Sequence, residues 1–377
     1  MRSRSLGLSL AFALLAASPA LAQLSPPVPA QPESELPFTM TTVGTFDAPW
    51  SMAFLPGGKI IVTQKQGAMI LFDPASGEKK TLAGTPAVVS AGQGAMMDIA
   101  LSPDFAKSKK IYFSYSEAGE GKTNGAALAT ATLDETGAAL KDVKVIFRAH
   151  PYIESGAHWS GRIAFSPDKK YLFFTNGERA KADPAQDPTA TLGKVLRLNL
   201  DGTPAKGNPL AKQGFHPAIW TYGQRNLTGL AFDRDGHLWE VEMGPLGGDE
   251  VNLIKPGTNY GWPKASNGSN YNGTDIPDHT PADGFTPPKV FWNPSLAPAS
   301  MAYYDAALFP AWKNSLFITG LSGMALARVS LNGETATKAD HWRLGMRLRN
   351  VRVGPDGALW LLQDGPNGKM LKLTPKG

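Results

Sequence analysis

The 377-residue chain contains no cysteine, which excludes disulfide bridges, thiolate metal sites, thiol catalysis and a lipid anchor on a mature N-terminal cysteine. Charge is also scarce, at 18% of residues, and no basic run occurs. Only one long hydrophobic run is present, LGLSLAFALLAAS from Leu6, behind Arg2 and Arg4. It is too short to span a bilayer comfortably. Ala20-Leu21-Ala22 follows with small residues where a signal peptidase cuts. Residues 1–22 are therefore expected to be a cleaved signal peptide, giving a periplasmic protein with no membrane span. Losing Arg2 and Arg4 lowers the formal charge from +5 to +3, a balance that argues against nucleic-acid binding. No paired-arginine export signal is present either, so any cofactor is expected to be acquired outside.

What the chain does have is repetition. Six segments share one pattern, an apolar strand, a Pro-Asp-Gly-type turn and a second strand rich in aromatic and branched residues. They begin at Ser51, Asp98, Arg162, Gly229, Ser300 and Asn350. A lone hairpin cannot bury its apolar face, so the copies must pack on one another. Short strands at this spacing predict an all-β fold, a six-bladed β-propeller with four-stranded antiparallel blades. Residues 23–37 are proline-rich and read as a flexible leader, and residues 38–377 as the propeller domain. Phe38-Thr39-Met40 and the residues after it alternate like a strand that joins the last blade and removes its free edge. Two long insertions, 177–192 and 259–288, are expected to separate blades and to be either functional or disordered; the second, which holds Trp262, Tyr271 and Phe285, is expected to be ordered and functional.

Chemistry-bearing residues gather where strands enter the hairpins. Gln93 sits between two glycines, where it is either a ligand amide or part of a plain turn. His158 lies in GAHWSGR before the third hairpin, either as a proton acceptor or as an imidazole bonded within the sheet. Arg225-Asn226 precedes the fourth hairpin as an anion and carbonyl reader, or as a solvated pair. The segment after that hairpin, MGPLGGDE, offers backbone carbonyls plus Asp249 and Glu250 as hard oxygens for a cation, or is simply a glycine-rich turn. Arg347 and Arg349 fall on one face of a strand. They repel unless an anion lies between them or they face solvent.

These segments resemble those of the PQQ-dependent sugar dehydrogenases, and most closely the soluble aldose sugar dehydrogenases related to soluble glucose dehydrogenase. The motifs are GQGAMMDIALSPDF, HWSGRIAFSPD, YGQRNLTGLAFD, MGPLGGDEVNLIKPGTNYGWP, PSLAPASMAYY and RLRNVRVGPDGALWLL. They keep their order from about Phe38 to Leu373. The resemblance implies pyrroloquinoline quinone (PQQ) and Ca2+ at the channel mouth, an aldose substrate and an external electron acceptor such as a quinone, cytochrome or dye. It matches His158 to the base that takes the C1 hydroxyl proton, and Gln93, Arg225, Asn226, Tyr271, Arg347 and Arg349 to quinone contacts. The carbonyls of Gly244 and Pro245 match calcium ligands, and Glu250 with the Tyr260 carbonyl resembles a second, structural calcium site. Ser322 stands nearest to where some members have a lysine, and Ala157 replaces an acid beside the histidine. A non-catalytic carbohydrate- or protein-binding propeller and, behind it, a calcium lactonase are the alternative readings. A monomer or homodimer is expected.

Overall fold

A computed structural model describes residues 29–134 and 138–376; the expected signal peptide lies outside them. The described chain forms six four-stranded antiparallel sheets. Blade one is built from Pro49–Phe54, Ile60–Gln64, Met69–Phe72 and Lys79–Thr81. Blades two to five begin with the inner strands Met96–Leu101, Ser160–Phe165, Leu227–Phe232 and Pro298–Tyr304. Blade six takes Leu348–Val353, Leu359–Gln363 and Gly368–Pro375, and its outermost strand is Phe38–Phe46 from the other end of the chain. Phe38 faces Pro375 and Phe46 faces Gly368 in that pairing, so the expected closure by the two chain ends is present. The inner strands neighbour one another around a complete ring.

Burial explains why the middle strands read as unbroken apolar runs while the outer ones do not. Ile60–Gln64 (IIVTQ), Ser315–Gly320 (SLFITG) and Leu359–Gln363 (LWLLQ) are covered on both faces by neighbouring blades. The outer strands Lys79–Thr81 and Thr335–Arg343 are mostly exposed and correspondingly polar. The core is accordingly a set of wedges, one between each pair of adjacent blades. Trp239, wholly buried between blades four and five, is one such wedge; truncating it to alanine is expected to cost about 3–5 kcal/mol.

At the ring's centre Asp98 ties four inner strands together. Its carboxylate accepts from Ser51 Oγ at 2.6 Å and Arg352 Nη2 at 2.6 Å, and from Arg162 Nη1 at 3.3 Å and the Ile163 amide at 3.0 Å. Burial alone would raise this carboxyl, but Arg352 and Arg162 hold it below its ordinary value.

Two features differ from the sequence reading. Both long insertions fall inside blades, after the second strand of blade three and after the third strand of blade four, so they crown the mouth instead of linking blades. The described part of the leader, residues 29–37, is docked. The Gln31 amide donates to the Arg343 carbonyl at 2.8 Å, and the Gln31 side-chain oxygen accepts from the Arg343 amide at 2.9 Å. Leu36 is buried among the aromatic residues of the last two blades. Its apolar side chain, overlooked among the prolines, supplies the anchor.

Candidate active site

The hairpin register decides what meets at the mouth. In each blade the residues just before the first strand lie opposite those just after the second. Ser160 pairs with Asn176, Leu227 with Glu242 and Leu348 with Gln363. Residues about 15 to 20 positions apart in sequence therefore share one end of the channel.

In blade three this brings Glu178 to His158. The imidazole Nδ1 is 2.5 Å from Glu178 Oε1, and both side chains are nearly sheltered from solvent. The second Glu178 oxygen accepts from the amides of Lys181 at 2.5 Å and Ala182 at 2.8 Å. Burial would raise this carboxyl, but His158 and those amides hold it below the ordinary carboxylate value. Burial lowers the His158 pKa below that of a free imidazole, with Arg225 and Arg179 acting in the same direction; the Glu178 hydrogen bond opposes them. A carboxylate on Nδ1 fixes the tautomer with its proton there, leaving Nε2 free to accept one. Gln93 touches the same residue: its side-chain oxygen accepts from the His158 amide at 2.8 Å, and its own amide donates to the Gly156 carbonyl at 2.7 Å.

Asn226 and Arg225 stand alongside. Ser160 Oγ donates to Asn226 Oδ1 at 3.2 Å, which joins blade three to blade four. Arg225 Nη1 donates to the carbonyls of Gly244 at 2.7 Å and Met243 at 3.0 Å, and Nη2 reaches the Tyr271 hydroxyl at 3.3 Å. The guanidinium also lies 5.1 Å from the Trp262 ring centre. Tyr271 is 73% exposed and forms the outer edge of this group. The insertion of blade three is fastened to that of blade four, because Gln186 Nε2 donates to Asn259 Oδ1 at 3.0 Å and to the Trp262 carbonyl at 2.7 Å. Beneath it, buried Lys194 donates to the carbonyls of Pro184, Ala185 and Leu192 at 2.7 to 2.9 Å.

One small cavity in blade four is lined by Arg225, Glu242, Gly244, Glu250 and Tyr260. Gly244 must be glycine, since a Cβ there would collide with the carbonyls of Gly247 and Gly248. Pro245 is buried next to it. Around the cavity three buried carboxylates crowd together. Asn252 Nδ2 is 3.2 Å from Glu240, 3.1 Å from Glu242 and 3.5 Å from Glu250. Burial pushes Glu242 up to about 7, and burial with the charge of Glu242 raises Glu240 and Glu250 well above the ordinary value. Glu240 Oε1 and Asn252 Oδ1 are buried without a hydrogen-bond partner. Three buried acids that outnumber the one neighbouring guanidinium, Arg225, and leave a spare oxygen on Glu240 have the donor chemistry of a hard divalent cation site. Asp249, expected from the sequence to offer an oxygen, is used internally. It accepts from the Gly244 amide at 3.0 Å, Ser295 Oγ at 2.7 Å and the Ala297 amide at 2.7 Å, and so holds the glycine loop in place.

Arg347 and Arg349 do have an anion between them. It is Asp364, reached by Arg347 Nη2 at 2.8 Å and Arg349 Nη2 at 2.7 Å. Two guanidiniums on one carboxylate leave a net positive charge at this rim, which suits an anionic guest. Ser322 lies exposed on the turn after the second strand of blade five, at the same end of the ring. Glu178, Glu240, Glu242 and Asp364 were not singled out in the sequence. The hairpin register was the available signal for Glu178, Glu242 and Asp364, and strict alternation from Glu240 to Glu242 for the other.

The propeller's mouth thus combines a carboxylate-braced histidine, three arginines and a pocket of buried acids. The chain belongs to the glucose/sorbosone dehydrogenase family, whose profile matches residues 46–372. It is 37% identical over 337 residues to the aldose sugar dehydrogenase YliI of Escherichia coli (strain K12), covering 88% of this chain and 91% of that one. The apo-form soluble aldose sugar dehydrogenase of Escherichia coli superposes with a TM-score of 0.86 at 36% identity, over 90% of this chain and all of that one. The PQQ-bound aldose sugar dehydrogenase of Streptomyces coelicolor gives 0.75 at 32% identity, over 92% of this chain and 99% of that one. The expected class, a PQQ-dependent sugar dehydrogenase, is met by these relationships. Among the described residues no helix is long and apolar enough to cross a membrane.

Proposed function

We propose that the protein is a periplasmic aldose dehydrogenase that oxidises the C1 position of aldoses to lactones with PQQ and Ca2+ and passes the electrons to an external acceptor. When bound, the quinone would supply a two-electron acceptor for the C1 hydride and the calcium ion would supply Lewis acidity. His158 takes the proton of the C1 hydroxyl on Nε2, so the sugar loses two electrons and two protons in all. Glu178 orients the ring and stabilises the imidazolium that forms. Arg225, Arg347 and Arg349 supply positive charge to the cofactor's carboxylates and carbonyls, and Gln93, Asn226, Tyr271 and Ser322 line its edges. The carbonyls of Gly244 and Pro245 would hold the catalytic calcium, and Glu250 with the Tyr260 carbonyl a structural one. The crowded acids beside them support a cation there.

The observation that carries this reading is the 2.5 Å His158–Glu178 contact, set at the same mouth as Arg225 and Asn226. The test is reconstitution: calcium and PQQ are added to the purified protein, and dye reduction is followed with a panel of aldoses. His158→Ala is expected to keep quinone binding, read by its near-ultraviolet absorption, and to lose about 10²- to 10⁴-fold in turnover. Absence of turnover with every sugar, or normal rates in that variant, would refute it.

A further inference from the structure

Glu178 has a neighbour with no part in the reaction as described. Arg179 is wholly buried, yet among the described residues no carboxylate forms a salt bridge with it. Its Nε donates to the Ala157 carbonyl at 2.9 Å, and its Nη2 to the Ser155 carbonyl and to Asn124 Oδ1, the latter at 2.8 Å. The guanidinium carbon lies over Trp159, 3.3 Å from the ring centre. Ala157 and Trp159 are the two residues that flank His158. One side chain therefore grips the backbone ahead of the histidine and the aromatic ring behind it, while the adjacent Glu178 grips the imidazole.

The backbone held in this way is strained. His158 has φ 49° and Ser160 φ 58°, and facing them Arg179, Ala180 and Ala182 have φ 65°, 54° and 58°. Non-glycine residues keep such conformations only where their surroundings enforce them. The two segments touch directly, since a Cβ on Gly177 would collide with the His158 carbonyl. Glu178 acts on this guanidinium only without direct contact, and a buried charge that lacks a contacting counter-ion costs stability relative to an apolar side chain of similar size. Its retention here calls for a positional benefit.

We propose that Arg179 is a positioning residue for His158, clamping the chain on both sides of the ring that Glu178 orients. The base is thereby set in place before the sugar arrives. This rests on the base role proposed for His158. The charged groups facing that imidazole are Glu178, Arg179 and Arg225. Of these Arg179 and Arg225 disfavour its protonated form, so the clamp also helps keep the ring able to accept a proton.

The test compares Arg179→Met and Arg179→Lys with the parent, each reconstituted with calcium and PQQ. Arg179→Met is expected to lose about ten- to hundredfold in kcat, with KM for the aldose and quinone affinity within about threefold of the parent. Arg179→Lys is expected to recover part of kcat. The His158 imidazole, followed by side-chain NMR, should titrate at higher pH in Arg179→Met than in the parent, and less so in Arg179→Lys. Unchanged kcat with unchanged titration would overturn the proposal. So would a kcat loss matched by an equal loss of quinone affinity, which marks a merely structural role. If Arg179→Met does not fold, Arg179→Gln and Arg179→Lys provide the same two readouts. Normal turnover in His158→Ala would instead remove the base itself, while the NMR titration would still report whether the clamp exists.

Discussion

Blades three and four both bring glutamates to the channel mouth, and they treat them in opposite ways. Glu178 of blade three has both oxygens engaged by His158 and two backbone amides, and its carboxyl is held low. Glu240, Glu242 and Glu250 of blade four share the amide of Asn252 and are pushed up chiefly by burial, and Glu240 keeps one oxygen without a hydrogen-bond partner. The same functional group is thus finished in one blade and left incomplete in the next. Blade three is preorganised by the chain's own partners, whereas the acids of blade four outnumber their one neighbouring guanidinium, Arg225, and are disposed to take up a cation or protons. Folding completes the first region; under the proposed function, a bound cation would complete the second.

The largest test of this contrast is metal removal. A chelator is expected to lower stability by about 3–4 kcal/mol relative to protein in calcium at 100 to 1,000 times its dissociation constant. Amide exchange should rise in residues 240–252 and stay flat around residues 158–178. Equal loosening of both blades would erase the distinction. Next comes Glu178→Ala, expected to lower kcat about 10²-fold with calcium-dependent stability intact. In the parent, the acid limb of kcat/KM should lie below the ordinary imidazole value of 6.5, because burial disfavours the charged ring. Glu178→Gln removes the group that favours protonation, so that limb should move to still lower pH. A limb above 6.5 would contradict the assignment.

A smaller effect concerns the surplus acid. In chelator, Glu240→Gln should stabilise the protein by about 1 kcal/mol, because it removes a buried acid whose ionised form is disfavoured and which must take up a proton on folding. Melting curves with and without calcium measure it, and destabilisation in chelator would contradict the crowding. The smallest effect is at the rim. Arg347 has 47% of its side chain exposed, against 22% for Arg349. Arg347→Gln should therefore weaken quinone binding only about two- to fivefold, less than Arg349→Gln and less still at high salt.

Much of this was legible from residue order. The six hairpins announce the blades because each middle strand must be apolar on both faces, and Gln93, His158, Arg225 and Asn226 stand directly before inner strands. Glu178 was not legible as a partner of His158, because 20 positions separate them and the strand pairing that reunites them is a property of register. Once Ser160 is set against Asn176, the contact follows. Asp364 escaped for the same reason. Glu240 and Glu242 read as ordinary strand polars, since alternation does not say which face a neighbouring blade will cover, whereas Glu250 stood out beside the glycine-rich turn. The docked leader escaped because local composition carries no information about Arg343, more than 300 residues away.

The seam between Phe38–Phe46 and Gly368–Pro375 joins the earliest strand of the propeller to its latest. A chain threaded N-terminus first must keep the ring of Phe38 unsheltered until Trp312 and Trp342, its eventual neighbours at 6.0 and 5.4 Å, have emerged. Trimming either tail should therefore produce one and the same lesion, an unzipped sixth blade with a bare strand edge, and a cell's proteases would see both as the same unfinished product.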